Sequence, residues 1–310
     1  MSHRILAAIR SQPWAIMPGY LEAIEALAMR ALDHPAVAEV AADGHADRHF
    51  DAIAQMGERV SGTRSAAIRD GIGCLPMFGP ILPRAAMVNP SGAGAVALDH
   101  LAADLRVLQA DKAVRRILLT VDSPGGAVTQ VSEFARLVAQ SEKPIAVHVT
   151  GMCCSAAYWI ASQAREISID QIGMVGSIGV IMGASVQEGP DAQGRRDVAI
   201  VSSNAPNKRP DLTSEEGIAS VREMIDAIEA VFISNVAQGR GVTEATVRND
   251  FGQGGTKTGK HAKEAGMVDR VEADGLDGAI RRLARSAPPA TSRRTAAAHL
   301  QLAQFRANSH

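Results

Sequence analysis

The sequence predicts an α/β fold built on a mainly parallel sheet, and three observations carry that prediction. From Gly71 onward, short apolar runs alternate with amphipathic ones, the texture of successive βαβ units. Two of the apolar runs end in glycine-bearing turns that bring polar groups to the same edge of the sheet. Before Gly71 the spacing is helical instead. With 310 residues, 46% of them hydrophobic and 21% charged, the chain is long enough to bury a full core.

Residues 1–70 are expected to form a helical N-terminal extension and linker. In YLEAIEALAMRAL, Leu21, Ile24, Leu27 and Leu32 fall near one helix face, which needs a surface to pack on. The stretch 41–71 is polar and Ala-rich with poor periodicity, and reads as helix plus linker. In the domain spanning residues 71–285, GIGCLPMFGPI reads as a strand, GAVALDHLAADLRVLQA as a helix, RRILLTV as a strand, AVTQVSEFARLVAQS as a helix and KPIAVHVT as a buried strand. A helix starts near Ser155, followed by strands around REISI and GSIGVIM and an extended DVAIVSS. A long amphipathic helix then opens with Thr213 as N-cap and Glu216 three residues on, a capping box. Residues 286–310 are rich in Pro, Ala and Ser and are expected to form a flexible tail.

Composition excludes several classes. The formal net charge is −1 and no segment concentrates Lys and Arg without acids nearby, so there is no electrostatic footprint for nucleic acid or an anionic membrane. No apolar run reaches the ~18–20 residues that span a bilayer, and the N-terminus lacks a signal peptide's apolar core. A cytoplasmic location is expected. Cys74, Cys153 and Cys154 are odd in number with two adjacent, which fits reduced thiols. The nine histidines lack ligand spacing, so neither a metal nor a cofactor is expected.

Two turns carry the candidate chemistry. In LLTVDSPGGAV a strand ends at Asp122, and Pro124-Gly125-Gly126 is expected to turn the chain into a helix with backbone N–H groups free to receive an oxyanion. In VHVTGMCCSAAYWIAS a strand ends at the same kind of edge, Gly151 permits a turn, and Ser155 begins a helix with its hydroxyl exposed. Taken singly, Ser155 would be an ordinary N-cap and Pro-Gly-Gly a tight turn. Together they offer a hydroxyl and the donors its attack would need. A base is less evident. There is no histidine between Ser155 and Lys260, and His148 inside IAVHVT reads as a core or cross-strand residue. Lys208, in the loop VSSNAPNKRPDLT, would alone be a solvated charge, or a base if its pKa fell toward neutrality. Cys154 as nucleophile is set aside because no histidine is placed to activate it.

TVDSPGGAV, GMCCSAAYWIAS, GMVGSIGVIM, the lysine of SSNAPNKRPDLT and GKHAKEAGMVDRV stand in the order and approximate spacing of the S49 peptidases, the signal peptide peptidase A family, and the resemblance covers roughly Gly71 to Arg282. SAAYW and the leading SQPWAIMPGYLEAIEALA look more like the phage and prophage branch, the head-maturation or capsid-assembly proteases. The resemblance implies a ClpP/crotonase-like fold of repeated ββα units and a serine endopeptidase with a Ser/Lys dyad. Ser155 would be the nucleophile, Lys208 the general base and Ser177 the residue that orients the lysine. Gly125 and Gly126 would supply oxyanion N–H groups with the backbone at Ser155. Tyr158 and Trp159 would pack the helix. The implied substrate is a scaffold or other procapsid protein, met in the bacterial host cytoplasm or inside the procapsid, and the implied assembly is a homo-oligomeric ring. Two departures stand out. Cys153 and Cys154 occupy places where small alanines are usual, and Asn207-Lys208-Arg209-Pro210 replaces a pattern that often has a tyrosine before the lysine and an acid after it. A catalytically silent capsid-assembly factor and a crotonase-type acyl-CoA enzyme are the alternatives.

Overall fold

The computed structural model describes residues 9–10, 12–33, 55–84, 94–183, 189 and 200–286. The expected tail lies outside them, as do part of the linker and the start of DVAIVSS. Among the described residues the main sheet has nine strands, running β12-β11-β9-β7-β4-β3-β2, with β10 beside β9 and β13 beside β10. Its centre is β4 (Ile72–Phe78), β7 (Arg116–Ser123) and β9 (Ile145–Cys154), which pair in parallel. β10 (Glu166–Ile169) and β11 (Met174–Gly176) also pair with β9 in parallel, and β13 (Arg270–Val271) with β10. The remaining pairs are antiparallel: β2 (Glu58–Arg59) on β3 (Ala67–Arg69), β3 on β4, and β12 (Thr256–Thr258) on β11.

Strands covered on both faces are written as nearly continuous apolar runs, which is why RILLTV and IAVHV are dense in β-branched residues. Their alternation divides the core. Ile117, Leu119, Val121, Val147 and Val149 join one cluster with helices α2 (Leu98–Ala110), α3 (Val131–Ala139) and α4 (Ala156–Ala161). Ile72, Cys74, Leu118 and Ala146 face the other way, against Ala279, Ile280 and Leu283 of helix α8 (Gly275–Ser286). Helix α5 (Glu215–Arg240) is followed by the short helices α6 (Glu244–Asp250) and α7 (Gly259–Glu264). The α5 N-cap is Ser214, whose hydroxyl accepts the Gly217 N–H at 3.0 Å, and not Thr213, whose hydroxyl donates to Asp211 instead. No helix among the described residues is long and apolar enough to cross a membrane.

A second sheet has the order β1-β8-β5-β6, made of Trp14–Ile16, Gly125–Ala127, Ile81–Leu82 and Val96–Ala97. The Pro-Gly-Gly segment therefore does not lead directly into a helix. Gly125 and Gly126 form β8, and the helix starts only at Val131. A side chain at Gly126 could not fit, because its Cβ would lie 1.9 Å from the Ile81 carbonyl oxygen of the neighbouring strand. Within residues 1–70, helix α1 (Pro18–Asp33) has the expected helical form, with Leu21 and Ile24 buried. The same stretch also supplies β1, β2 and β3 to the two sheets.

Candidate active site

β9 runs past Gly151 as far as Cys154, further than the expected turn at Gly151. The glycine serves a close approach. A Cβ there would lie 2.5 Å from Asp122 Oδ1, and the same oxygen accepts the Met152 N–H at 2.9 Å. The β7–β9 register shifts at this point, from Val121 opposite Val149 to Ser123 opposite Cys153. The Asp122 carboxylate thus secures the bulge that delivers Cys154 and Ser155 to the sheet edge. Nothing in the motifs marked Asp122 for this role.

Ser155 follows at φ 56°, ψ −120°, a backbone state that L-residues rarely adopt and that costs about 1–3 kcal/mol. Its N–H donates to the Gly176 carbonyl at 2.7 Å and its carbonyl accepts the Trp159 N–H at 2.9 Å, so both neighbours hold the bend in place. The hydroxyl makes no cap bond to the helix that follows. Ser155 is fully buried, and its Oγ has no hydrogen-bond partner among the described residues. A buried hydroxyl left unbonded is costly, and groups of that kind gather where chemistry happens.

β8 lies against it. A Cβ added to Gly125 (φ +99°) would sit 2.2 Å from the Ala15 carbonyl oxygen and 2.9 Å from both the Cys154 carbonyl oxygen and the Ser155 Cβ. The Gly125 N–H is engaged by Ser123 Oγ at 3.2 Å. Ser177 is also brought close: the parallel pairing of Cys154 with Gly176 ends one residue before Ser155 on one strand and one before Ser177 on the other. Ser177 is buried at φ 52°, with its N–H bonded to Gly255 at 2.8 Å. Lys208 stands exposed on a 3-10 turn, Pro206–Lys208, and among the described residues the buried Ser155 hydroxyl makes no hydrogen bond to it or to any other group.

The neighbouring thiols are inert. Burial pushes the Cys154 thiol up to about 12 and the Cys153 thiol well above its ordinary value, so neither is a thiolate at neutral pH. His148 is a core residue, as its setting in an apolar strand suggested. Its Nδ1 meets Ser168 Oγ at 3.0 Å, and burial lowers its pKa to about 4. Tyr158 and Trp159 are packing residues. The Tyr158 hydroxyl donates to the Met267 carbonyl at 2.9 Å, and Trp159 stacks on Phe232 of α5 with ring centroids 4.6 Å apart.

A parallel sheet flanked by helices, with a strained serine elbow at its carboxyl edge facing a glycine strand, defines an α/β protein of the ClpP/crotonase-like class. Comparison with known proteins narrows this. The Clp protease family model matches residues 91–168 and the Peptidase family S49 model matches residues 137–288. Over residues 137–288 the chain is similar to peptidase family S49. It is 27% identical to the head-tail preconnector protein GP5 of Enterobacteria phage P21, over 87% of this chain and 55% of that protein. Identity to capsid assembly protease C of Escherichia phage lambda is 28%, over 67% and 48%. For the putative signal peptide peptidase SppA of Enterococcus faecium it is 29%, over 56% and 52%. The chain spans about half the length of these relatives.

Proposed function

We propose that this chain is a serine endopeptidase that acts on scaffold or other procapsid proteins during phage head maturation. One observation carries the reading: the Ser155 hydroxyl is buried, without a hydrogen-bond partner among the described residues, and held on a strained bend against the glycine strand. An N-cap serine would spend its hydroxyl on the helix, and Ser155 does not.

In this mechanism the Lys208 side chain is the general base that takes the Ser155 proton while Oγ attacks the scissile carbonyl carbon. The Gly126 N–H of β8 receives the oxyanion, since the Gly125 and Ser155 N–H groups are already bonded to Ser123 Oγ and to the Gly176 carbonyl. The C–N bond breaks, the lysine returns the proton to the leaving amine, and water hydrolyses the ester to release the acid and regenerate the serine. Ser177, beside Ser155 in the sheet register, orients the lysine. Because Lys208 stands exposed, the reaction needs its turn brought to Ser155, either by closure within the chain or from a neighbouring copy in a homo-oligomeric ring. The names of the two phage relatives support the procapsid setting.

The test uses wild type, Ser155→Ala and Lys208→Ala with casein and with a fluorophosphonate probe. The reading requires hydrolysis by wild type only, and probe attachment that disappears in Ser155→Ala. Equal hydrolysis by all three proteins removes the dyad.

A further inference from the structure

The slot that holds β1 has the main-chain geometry of a peptide cleft. On one edge Trp14, Ala15 and Ile16 pair antiparallel with Ala127, Gly126 and Gly125. On the other, Trp14 exchanges two hydrogen bonds with Ile181, at 2.7 and 2.8 Å. Extended ligands dock in this way, adding a strand to backbone edges that do not read sequence. The bonds from Met17 N–H to Pro124 (3.0 Å) and from Val128 N–H to Pro13 (3.4 Å) bracket the segment, so alternation makes Ala15 and Gly126 a hydrogen-bonded pair. The Ala15 carbonyl oxygen and the Ser155 Cβ crowd the same point beside Gly125. Among the described residues, Ala15 thus stands where a peptide carbonyl would meet the serine.

We propose that the cleft between β8 and Ile181 is filled by the chain's own residues 13–17, an internal occupant that a peptide arriving in trans must displace. This rests on the peptidase reading of Ser155. It also defines the class of peptide that fits: an extended segment with a small residue opposite Gly126, flanked by large apolar ones. Ala15 packs within the main core, whereas Trp14 and Ile16 turn to the opposite side, among Ile9, Leu21, Ile24 and Leu82. Trp14 is anchored there by its indole N–H, which donates to the Ile9 carbonyl at 2.8 Å. An arriving strand can take over the bonds to β8 and Ile181, since these are made by backbone alone.

Two full-length variants test this. Pro13→Cys with Val128→Cys places thiols on a hydrogen-bonded antiparallel pair, whose Cα separation of about 5.5 Å suits a disulfide and locks β1 in place. Ala15→Pro removes the N–H that the ladder uses and loosens it. Casein hydrolysis is expected to fall at least tenfold in the crosslinked protein, to recover with dithiothreitol, and to rise severalfold in Ala15→Pro. A crosslinked protein, verified by intact mass, that cleaves casein at the uncrosslinked rate overturns the proposal and leaves the peptidase reading standing. Binding is read separately in a Ser155→Ala background, by anisotropy of a labelled peptide copying residues 12–17. Binding at least tenfold tighter to Ala15→Pro than to the crosslinked form supports the occupied cleft even if no form hydrolyses casein, an outcome that would remove only the peptidase reading. Equal or absent binding overturns the proposal. If Ala15→Pro fails to fold, comparing the crosslinked protein before and after reduction decides both readouts alone.

Discussion

The backbone N–H of Ser155 donates to the Gly176 carbonyl at 2.7 Å, and that bond ties a strained elbow to the strand beside it. Strain held in this way is stability given up at a working position. Ser155→Ala removes a buried hydroxyl that has no partner among the described residues, and Ser155→Gly also relieves the positive φ. Each is expected to raise stability by about 1 kcal/mol while abolishing hydrolysis. Chemical denaturation checks the first effect and casein turnover the second. A loss of stability in both variants would mean that the bend is not strained.

Gly125→Ala is expected to act in the opposite direction. Its Cβ would fall 2.2 Å from the Ala15 carbonyl oxygen and 2.9 Å from the Ser155 Cβ, on a backbone at φ +99°. Stability should drop by roughly 1–3 kcal/mol, and activity should fall by more than stability alone explains because the elbow is displaced. Thermal unfolding and kcat/KM, measured on the same preparation, separate the two.

Thiol chemistry should leave the protein untouched in its folded state. With Cys154 raised to about 12 and Cys74 likewise raised to about 12 by burial, iodoacetamide at pH 8 should modify neither until denaturant is added. Cys154→Ala should retain hydrolysis. Loss of turnover in that variant, with the fold intact by circular dichroism, would move the nucleophile from Ser155 to the thiol.

Acid should weaken the fold through His148. Burial first, then Arg282, holds its pKa down to about 4, against the opposing pull of Glu272 and Asp170. An unfolded imidazole takes a proton near pH 6.5, so between these values the unfolded state binds more protons and stability falls as pH drops, by roughly 3 kcal/mol in all. His148→Asn, which can keep a polar contact with Ser168, should flatten that part of the profile. Urea midpoints from pH 7 to pH 4 report it, and unchanged slopes would exclude His148 as the source.

Trp159 and Phe232 clamp α4 to α5. A double-mutant cycle on the pair, measured by urea unfolding, should return a coupling of about 0.5–1.5 kcal/mol from the stack, on top of the larger cost of each truncation.

Much of the sheet is legible in the sequence because central strands buried on both faces must be apolar at successive positions, and β4, β7 and β9 are. β8 is not legible in that way. Gly125 and Gly126 carry no side chain to display alternation, so they read as a turn, although close approach by Ile81 and Ala15 is what excludes side chains there. β1 is three residues long, and the nearest thing to a signal is apolar WAI between Pro13 and Pro18, since residues preceding proline favour extended backbone. Gly151 was recognisable as special but for another reason, since its partner is the Asp122 carboxylate and the chain does not turn there. Ser155 and Ser177 come together because adjacent parallel strands end in register, a fact of topology that motif order does not display. Lys208 is different. Its side chain is exposed on a short 3-10 turn, so no apolar pattern along the chain records where its amine rests.

Helix α8 closes the far face of the sheet with Ala279, Ile280 and Leu283, and the Arg116 guanidinium grips its last carbonyl, that of Ser286, at 2.8 Å. Shortening the polypeptide to a point upstream of Gly275 would strip that lid from Ile72, Leu118 and Ala146 and leave an oily slab facing water, a recipe for precipitation that could be mistaken for a catalytic defect.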